Sequence, residues 1–308
     1  MLNNEYYALK EVPKYMLYPE SKIYSHLTEP NILKRFTQYN FLPKIISSFQ
    51  DYDNIYLITN YLDGKSLSSF INQNMTEEQI KFFSACTIQS LIYLRKEKII
   101  HRDITMHNII MDKNKYFNLI DFSFAIDYSQ KDNKEKYFNT FRRVTPPEML
   151  NFKKFDYNSD YYRLGSIIYY SIFKTYPNIV KLKKNLKQIK VNYKDVENYS
   201  YDCIDFINKL LISKPEKRLG FKDINELKVH SWFKGYDWNN FEKKKLVSPF
   251  KLIKNDNSYI QCTKIPISDS YLMKFKLYSR NSIYKLLIKK FNYINKRVLN
   301  QILYINRN

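Results

Sequence analysis

Residues 99–110 read "IIHRDITMHNII". A charged triplet, His101-Arg102-Asp103, interrupts an apolar run, and Asn108 follows Asp103 by five residues. Eighteen residues after Asp103, Asp121 closes the apolar run of "LIDFSFA". Taken alone, Asp121 fits an ordinary turn or cap. Together, the three oxygen-bearing side chains fit phosphoryl transfer. That chemistry needs a carboxylate to receive a hydroxyl proton, oxygen ligands for a hard divalent cation, and a cation on the phosphates.

The elements around these residues can be read from pattern. "EYYALKEV" alternates as a strand, and "NIYLITNYL" is a β-branched and aromatic strand ending at the turn "DGKS". Pro19 opens a weakly helical region that Pro30 is expected to interrupt. Thr76 with Gln79 makes a capping-box pattern, and Phe83, Leu91 and Leu94 continue an apolar helical face behind it. "NIIM" and "YFNLIDF" read as short strands around the turn "DKNK". Helices are expected at "YYRLGSIIYYSIF", "YDCIDFINKLLI" and "INELKVHSWF". The order is a small strand-rich part followed by a larger helix-rich part.

Composition sets wider bounds. The chain has 308 residues and a formal net charge of +21, which favours anionic partners without choosing among them. Its three cysteines, Cys86, Cys203 and Cys262, give neither a disulfide framework nor a zinc spacing, which suits a reducing compartment. The start, "MLNNEYYALKEV", lacks the pattern of a signal peptide, and no apolar run approaches a membrane span, so a cytoplasmic location is expected.

On these motifs the chain resembles a eukaryotic protein kinase from about Tyr6 to Phe250. "YYALK" resembles the strand with the phosphate-binding lysine, here Lys10, and Glu29, nineteen residues on, is the candidate for its acidic helix partner. "HRDITMHN" resembles the catalytic loop. The resemblance implies Asp103 as base and Asn108 as a metal ligand, with Asp121 of "DFS" as the main Mg²⁺ ligand. "TPPE" resembles the Ala-Pro-Glu motif, implying a structural ion pair between Glu148 and Arg218, and Asp160 resembles the buried helix Asp that ties down the catalytic loop. The segments "FLPKIISSFQDYDNIYLITNYLDGKSL", "VHSWFKGYDW" and "LVSPF" look like the AGC group, nearest to cyclic-nucleotide-dependent Ser/Thr kinases.

That likeness implies an α+β, bilobal protein-kinase-like fold with a truncated small β-rich lobe and a larger, mainly helical lobe. Residues 1–62 would be the small lobe and hinge, 63–235 the large lobe, 236–270 an AGC-like C-terminal extension and 271–308 a basic tail. It implies ATP and Mg²⁺ as cofactors and protein substrates. Thr59 would be the gatekeeper, Asn60–Leu62 the hinge facing adenine, and Ala8 and Ile110 the residues packing the ring. Leu33, Ile45, His101 and Phe122 would fill a regulatory hydrophobic stack, positions that ordinary core packing would fill equally well.

Several positions depart from the family pattern. Nine residues precede Lys10 and none is Gly, so no glycine-rich loop is read there and weaker phosphate positioning is expected. Thr105 stands where most Ser/Thr kinases carry a lysine that neutralises the transferring phosphate. Ser123 replaces a glycine, which is expected to make Asp121 less free to flip. Pro30 directly after Glu29 places Glu29 at a helix start, with Glu20 as the alternative partner of Lys10. Ser66, His107 and Tyr170 occupy positions where basophilic relatives carry acids, so substrates are not expected to be Arg-rich. Thr140 is a candidate activation-segment phosphosite, with Arg102 retained to meet a phosphate.

Residues 271–308 hold Lys or Arg at nine positions and no Asp or Glu. Ile283, Leu287, Phe291, Ile294, Val298, Ile302 and Ile305 recur at helical steps, predicting a basic amphipathic helix. It could dock on the body of the chain, on an anionic membrane surface or on a helical partner. The reading is a Ser/Thr protein kinase, against a pseudokinase acting as a binding or scaffolding module. A basic nucleic-acid- or membrane-binding protein ranks below both, because the kinase-like motifs cover most of the chain and no RNA- or DNA-reading motif appears.

Overall fold

A computed structural model describes residues 6–14, 28–51, 53–129, 145–152, 156–177, 181–182, 185–186, 191, 198–253 and 293–294. Strand β1 (Tyr7–Pro13) is followed by helix α1 over residues 28–33 and a 3₁₀ turn at Lys34–Phe36. Strands β2 (Ile45–Gln50) and β3 (Asn54–Asn60) follow. β1 pairs antiparallel with β3 and β3 with β2, with Lys10 opposite Leu57 and Ala8 opposite Thr59. Ile32, Leu33 and Phe36 are buried, so α1 and its turn pack into the core. Burial of one such aromatic side chain contributes about 1.5–3 kcal/mol.

The large lobe begins with α2 (Ser68–Ile71) and α3 (Glu77–Lys96). Thr76 and Gln79 form the expected capping box, Thr76 Oγ1 accepting from Gln79 N at 3.2 Å and Gln79 Oε1 from Thr76 N at 3.0 Å. The short strands β4 (Ile99–Ile100), β5 (Ile109–Met111), β6 (Phe117–Leu119) and β7 (Ile126–Asp127) follow. β5 pairs with β6 and β4 with β7, which brackets both Asp103 and Asp121 with short ladders. Helices α4 (Pro147–Phe152) and α5 (Tyr157–Phe173) are followed by the small hairpin β8 (Lys181–Leu182) and β9 (Asn185–Leu186). α6 (Tyr201–Leu210), α7 (Glu226–Val229) and α8 (Trp238–Glu242) complete the lobe. Phe250 packs edge-on against Phe70 and Phe117, so the chain beyond α8 folds back over the lobe. Between β3 and α2, Gly64 N donates to Met111 O at 3.0 Å, and a Cβ there would come within 2.7 Å of Met111 Cβ.

Three expectations need correction. Pro30 does not interrupt the helix: residues 28–33 are helical through it, because the φ that proline fixes is itself helical. "INELKVHSWF" is not one helix, because His230 takes an extended ψ of 145° between α7 and a 3₁₀ turn at Ser231–Phe233. Tyr293–Ile294 form strand β10, pairing with Ser48 and Ser47 of β2, where a helix was expected. The edge of β2 supplies the hydrogen-bonding groups that draw these β-prone residues into a ladder. The rest of the 271–308 tail lies outside the described residues, as do Glu20 and Thr140. No helix among the described residues is long and apolar enough to cross a membrane.

Candidate active site

Lys10 projects from β1 to a point where α1 and the loop after β6 meet. Its Nζ donates to Glu29 Oε2 at 2.8 Å and to Asp121 Oδ1 at 2.8 Å. These partners stand 19 and 111 residues away in sequence. Burial alone would lower the Lys10 pKa, but the Glu29 and Asp121 carboxylates overcome that and hold the ammonium above the usual lysine range. Burial would likewise raise Asp121, yet Lys10 and the Ser123 hydrogen bonds hold it well below the usual carboxylate range. Glu29 is buried and its carboxyl is pushed up by that burial against the pull of Lys10, while its Oε1 accepts from Phe122 N at 3.0 Å.

Asp121 has a φ of 64°, a left-handed conformation costly for a non-glycine residue. Its own side chain holds the turn: Oδ1 accepts from Ser123 Oγ at 2.7 Å and Ser123 N at 3.3 Å. The serine that replaces glycine is therefore a hydrogen-bond donor to the candidate metal ligand, a role its residue type alone did not disclose.

The His101-Arg102-Asp103 segment is held by a second buried carboxylate. Asp160, in the first turn of α5, accepts from His101 N at 2.8 Å and Arg102 N at 2.9 Å. This stabilises the left-handed Arg102, whose φ is 66°. Burial pushes Asp160 up to about 6 and His101 down to about 4. Asp103 is buried, and Asn108 Nδ2 donates to its carbonyl at 2.9 Å and to its Oδ2 at 3.0 Å. The base candidate and one metal-ligand candidate are thus joined directly. Thr105 is half-buried, and its carbonyl accepts from Asn108 N at 3.1 Å.

Leu33, Ile45, His101 and Phe122 are all buried, and the His101 and Phe122 rings meet edge-on at 4.7 Å. Of the residues expected to face adenine, Thr59, Asn60, Leu62 and Ile110 are half-buried and Ala8 is exposed. Asn60 Oδ1 is engaged by Lys44 N at 2.6 Å. Glu148 and Arg218 form a buried bidentate pair, Nη1 to Oε1 at 2.8 Å and Nη2 to Oε2 at 2.9 Å. Arg218 also donates to Asn158 O and Ile212 O, so the charge is fully coordinated.

Among the described residues, no three His, Cys, Asp or Glu side chains group closely enough to hold a metal by themselves. Asp121 and Asn108 offer a carboxylate and an amide oxygen. This donor set fits Mg²⁺, which keeps several waters and draws further ligands from substrate phosphates.

A small antiparallel sheet carrying a lysine, a helix carrying its glutamate and a helical lobe carrying a His-Arg-Asp loop define a protein-kinase-like fold. The chain belongs to the protein kinase domain family, whose model matches residues 1–233. It is 30% identical over 290 residues to a probable serine/threonine protein kinase, IRE4, of Arabidopsis thaliana, covering 83% of this chain and 28% of that one. It is 27% identical over 249 residues to serine/threonine-protein kinase sgk-1 of Caenorhabditis elegans, covering 79% of this chain and 54% of that one. Against serine/threonine-protein kinase Sgk1 of Fundulus heteroclitus it is 26% identical over 255 residues, covering 80% and 59%. The likeness to sgk-1 and Sgk1 agrees with the AGC-like reading. The chain spans at most 59% of the length of these three relatives.

Proposed function

We propose that this chain is a protein serine/threonine kinase that transfers the γ-phosphate of ATP to a Ser or Thr hydroxyl of a protein. The observation that carries the reading is the junction of Lys10 with Glu29 and Asp121, each at 2.8 Å, beside the Asp103–Asn108 pair. The names of the relatives support the Ser/Thr assignment.

Glu29 orients the Lys10 ammonium, which binds the nucleotide phosphates. Mg²⁺, held by Asp121 and Asn108, supplies charge neutralisation on those phosphates when bound. Asp103 accepts the proton of the substrate hydroxyl, and Asn108 fixes the rotamer of that carboxylate. Thr105 contributes no charge, so phosphate stabilisation falls on Lys10 and on the Mg²⁺ that Asp121 and Asn108 would hold.

Purified chain is expected to transfer phosphate from ATP to a Ser/Thr protein substrate above the level of Asp103→Asn and Lys10→Met. Equal signal in all three would instead make it a binding or scaffolding module.

Substrates are proposed to lack a requirement for upstream Arg. Ser66 Oγ pairs with Ser68 Oγ at 2.6 Å, His107 is exposed, and the Tyr170 ring lies tilted against Tyr176 with centroids 4.6 Å apart, so none of the three offers a carboxylate. A peptide library showing strong upstream-Arg selection would refute this. Residues 271–308 are proposed to dock on the body of the chain, as the pairing of Tyr293–Ile294 with Ser48 and Ser47 of β2 supports. Deletion of 271–308 is expected to lower the thermal midpoint of the remaining chain, and co-sedimentation with anionic vesicles that is lost on that deletion would favour an anionic membrane surface instead.

A further inference from the structure

Arg35 stands on the 3₁₀ turn that continues α1, six residues beyond Glu29. Its guanidinium reaches two acidic residues far away in sequence. Nε and Nη2 donate to Glu97 Oε2 at 3.0 and 2.8 Å, and Nη2 also meets the Glu97 carbonyl. Nη1 donates to Asp127 Oδ2 at 3.1 Å. Glu97 caps the C-terminus of α3, and Tyr39 OH donates to its Oε1 at 2.6 Å. Asp127 lies on β7, where Ile99 of β4 is its register partner.

Asp127 is 6% exposed, and its other oxygen, Oδ1, accepts from Ser129 N at 2.9 Å and Ser129 Oγ at 2.5 Å. A buried carboxylate of this kind needs a counter-charge, and Arg35 supplies it. The planar guanidinium matters, because it meets the Glu97 and Asp127 carboxylates from three separate nitrogens in a fixed fork, where a lysine would offer one point donor.

Glu29, earlier on the same helical stretch, is fixed to the same stretch of chain: it accepts from Phe122 N, and Lys10 links it to Asp121. Two points along the helix and its following turn are therefore referenced to residues 121–127, and α3 anchors the Arg35 side. We propose that Arg35 is a positioning residue: it ties the helix carrying Glu29 to the strand that follows the Asp121 loop, and so sets the Lys10–Glu29–Asp121 geometry from a distance. The effect on catalysis rests on the kinase reading above; the mechanical tie does not.

The test uses the full chain without nucleotide. In Arg35→Met, which keeps a long apolar stem, the Phe122 amide should exchange with solvent about tenfold faster, while amides of α6 stay within twofold of the original. Asp127→Asn, a milder change that removes one anchor, should give a smaller acceleration at Phe122 in the same direction, and it serves if Arg35→Met does not fold. Arg35→Lys should restore protection only in part. In the phosphate-transfer assay, kcat of Arg35→Met should fall about tenfold. Unchanged Phe122 exchange in Arg35→Met, or in Asp127→Asn if the former is unfolded, would overturn the proposal. Faster exchange in a chain that transfers no phosphate would uphold the tie and defeat the kinase reading alone.

Discussion

At the residue scale, charge placement decides what the site can do. Thr105 lies between the base candidate Asp103 and Asn108 but carries no charge. Thr105→Lys is expected to raise kcat about tenfold in a radiolabelled-ATP assay, since a fixed charge near the reacting group acts in a site of low dielectric. The Glu148–Arg218 pair has the opposite character, being structural and fully buried. Arg218→Met would leave the Glu148 carboxylate uncompensated and is expected to cost about 3–5 kcal/mol in urea unfolding. His101 is held neutral, its pKa brought from 6.5 to about 4 by burial. Its contribution to stability is therefore present above pH 6.5 and is lost as pH falls toward 4. Thermal midpoints measured across that window should fall less steeply for His101→Phe. Asp160, pushed up to about 6, titrates with the opposite sign and is common to both proteins.

At the element scale, α3 illustrates how local chemistry starts a helix that tertiary packing then uses. Thr76 satisfies one orphan amide and Gln79 another, with Glu77 and Glu78 in the first turn facing the positive end of the helix dipole. Thr76→Ala should cost about 1 kcal/mol in chemical unfolding, with the slope of the transition unchanged. α3 was legible from its start signal and apolar face and α5 from its apolar run, although the first turn of α5, capped by Asp156, lies before the segment expected. β2 and β10 were not, because "IISSFQ" and "YI" become strands only through their neighbours in the sheet. The helical pattern over 271–308 failed at Tyr293–Ile294 for that reason: an edge strand offers backbone partners that no periodicity records.

At the scale of the whole molecule, the formal charge of +21 is a persistent source of self-repulsion. Raising ionic strength from about 10 to 150 mM should raise the thermal midpoint by about 2–5 °C, since the screening length shortens to about 8 Å. A midpoint that falls with salt would mean that attractive surface pairs outweigh the repulsion.

The sequence by itself determined the chemical inventory: a lysine on a strand, the His-Arg-Asp loop with Asn108, and Asp121 at the end of an apolar strand. These were readable because each motif is short and its spacing is enforced by local backbone geometry. Only the tertiary structure decided which glutamate meets Lys10, that Ser123 donates to Asp121, and that Arg35 joins Glu97 and Asp127. Arg35 meets those two partners across 62 and 92 residues of chain. Such contacts arise from the packing of helix against strand and from the need of a buried carboxylate for a counter-charge, and no local pattern encodes either.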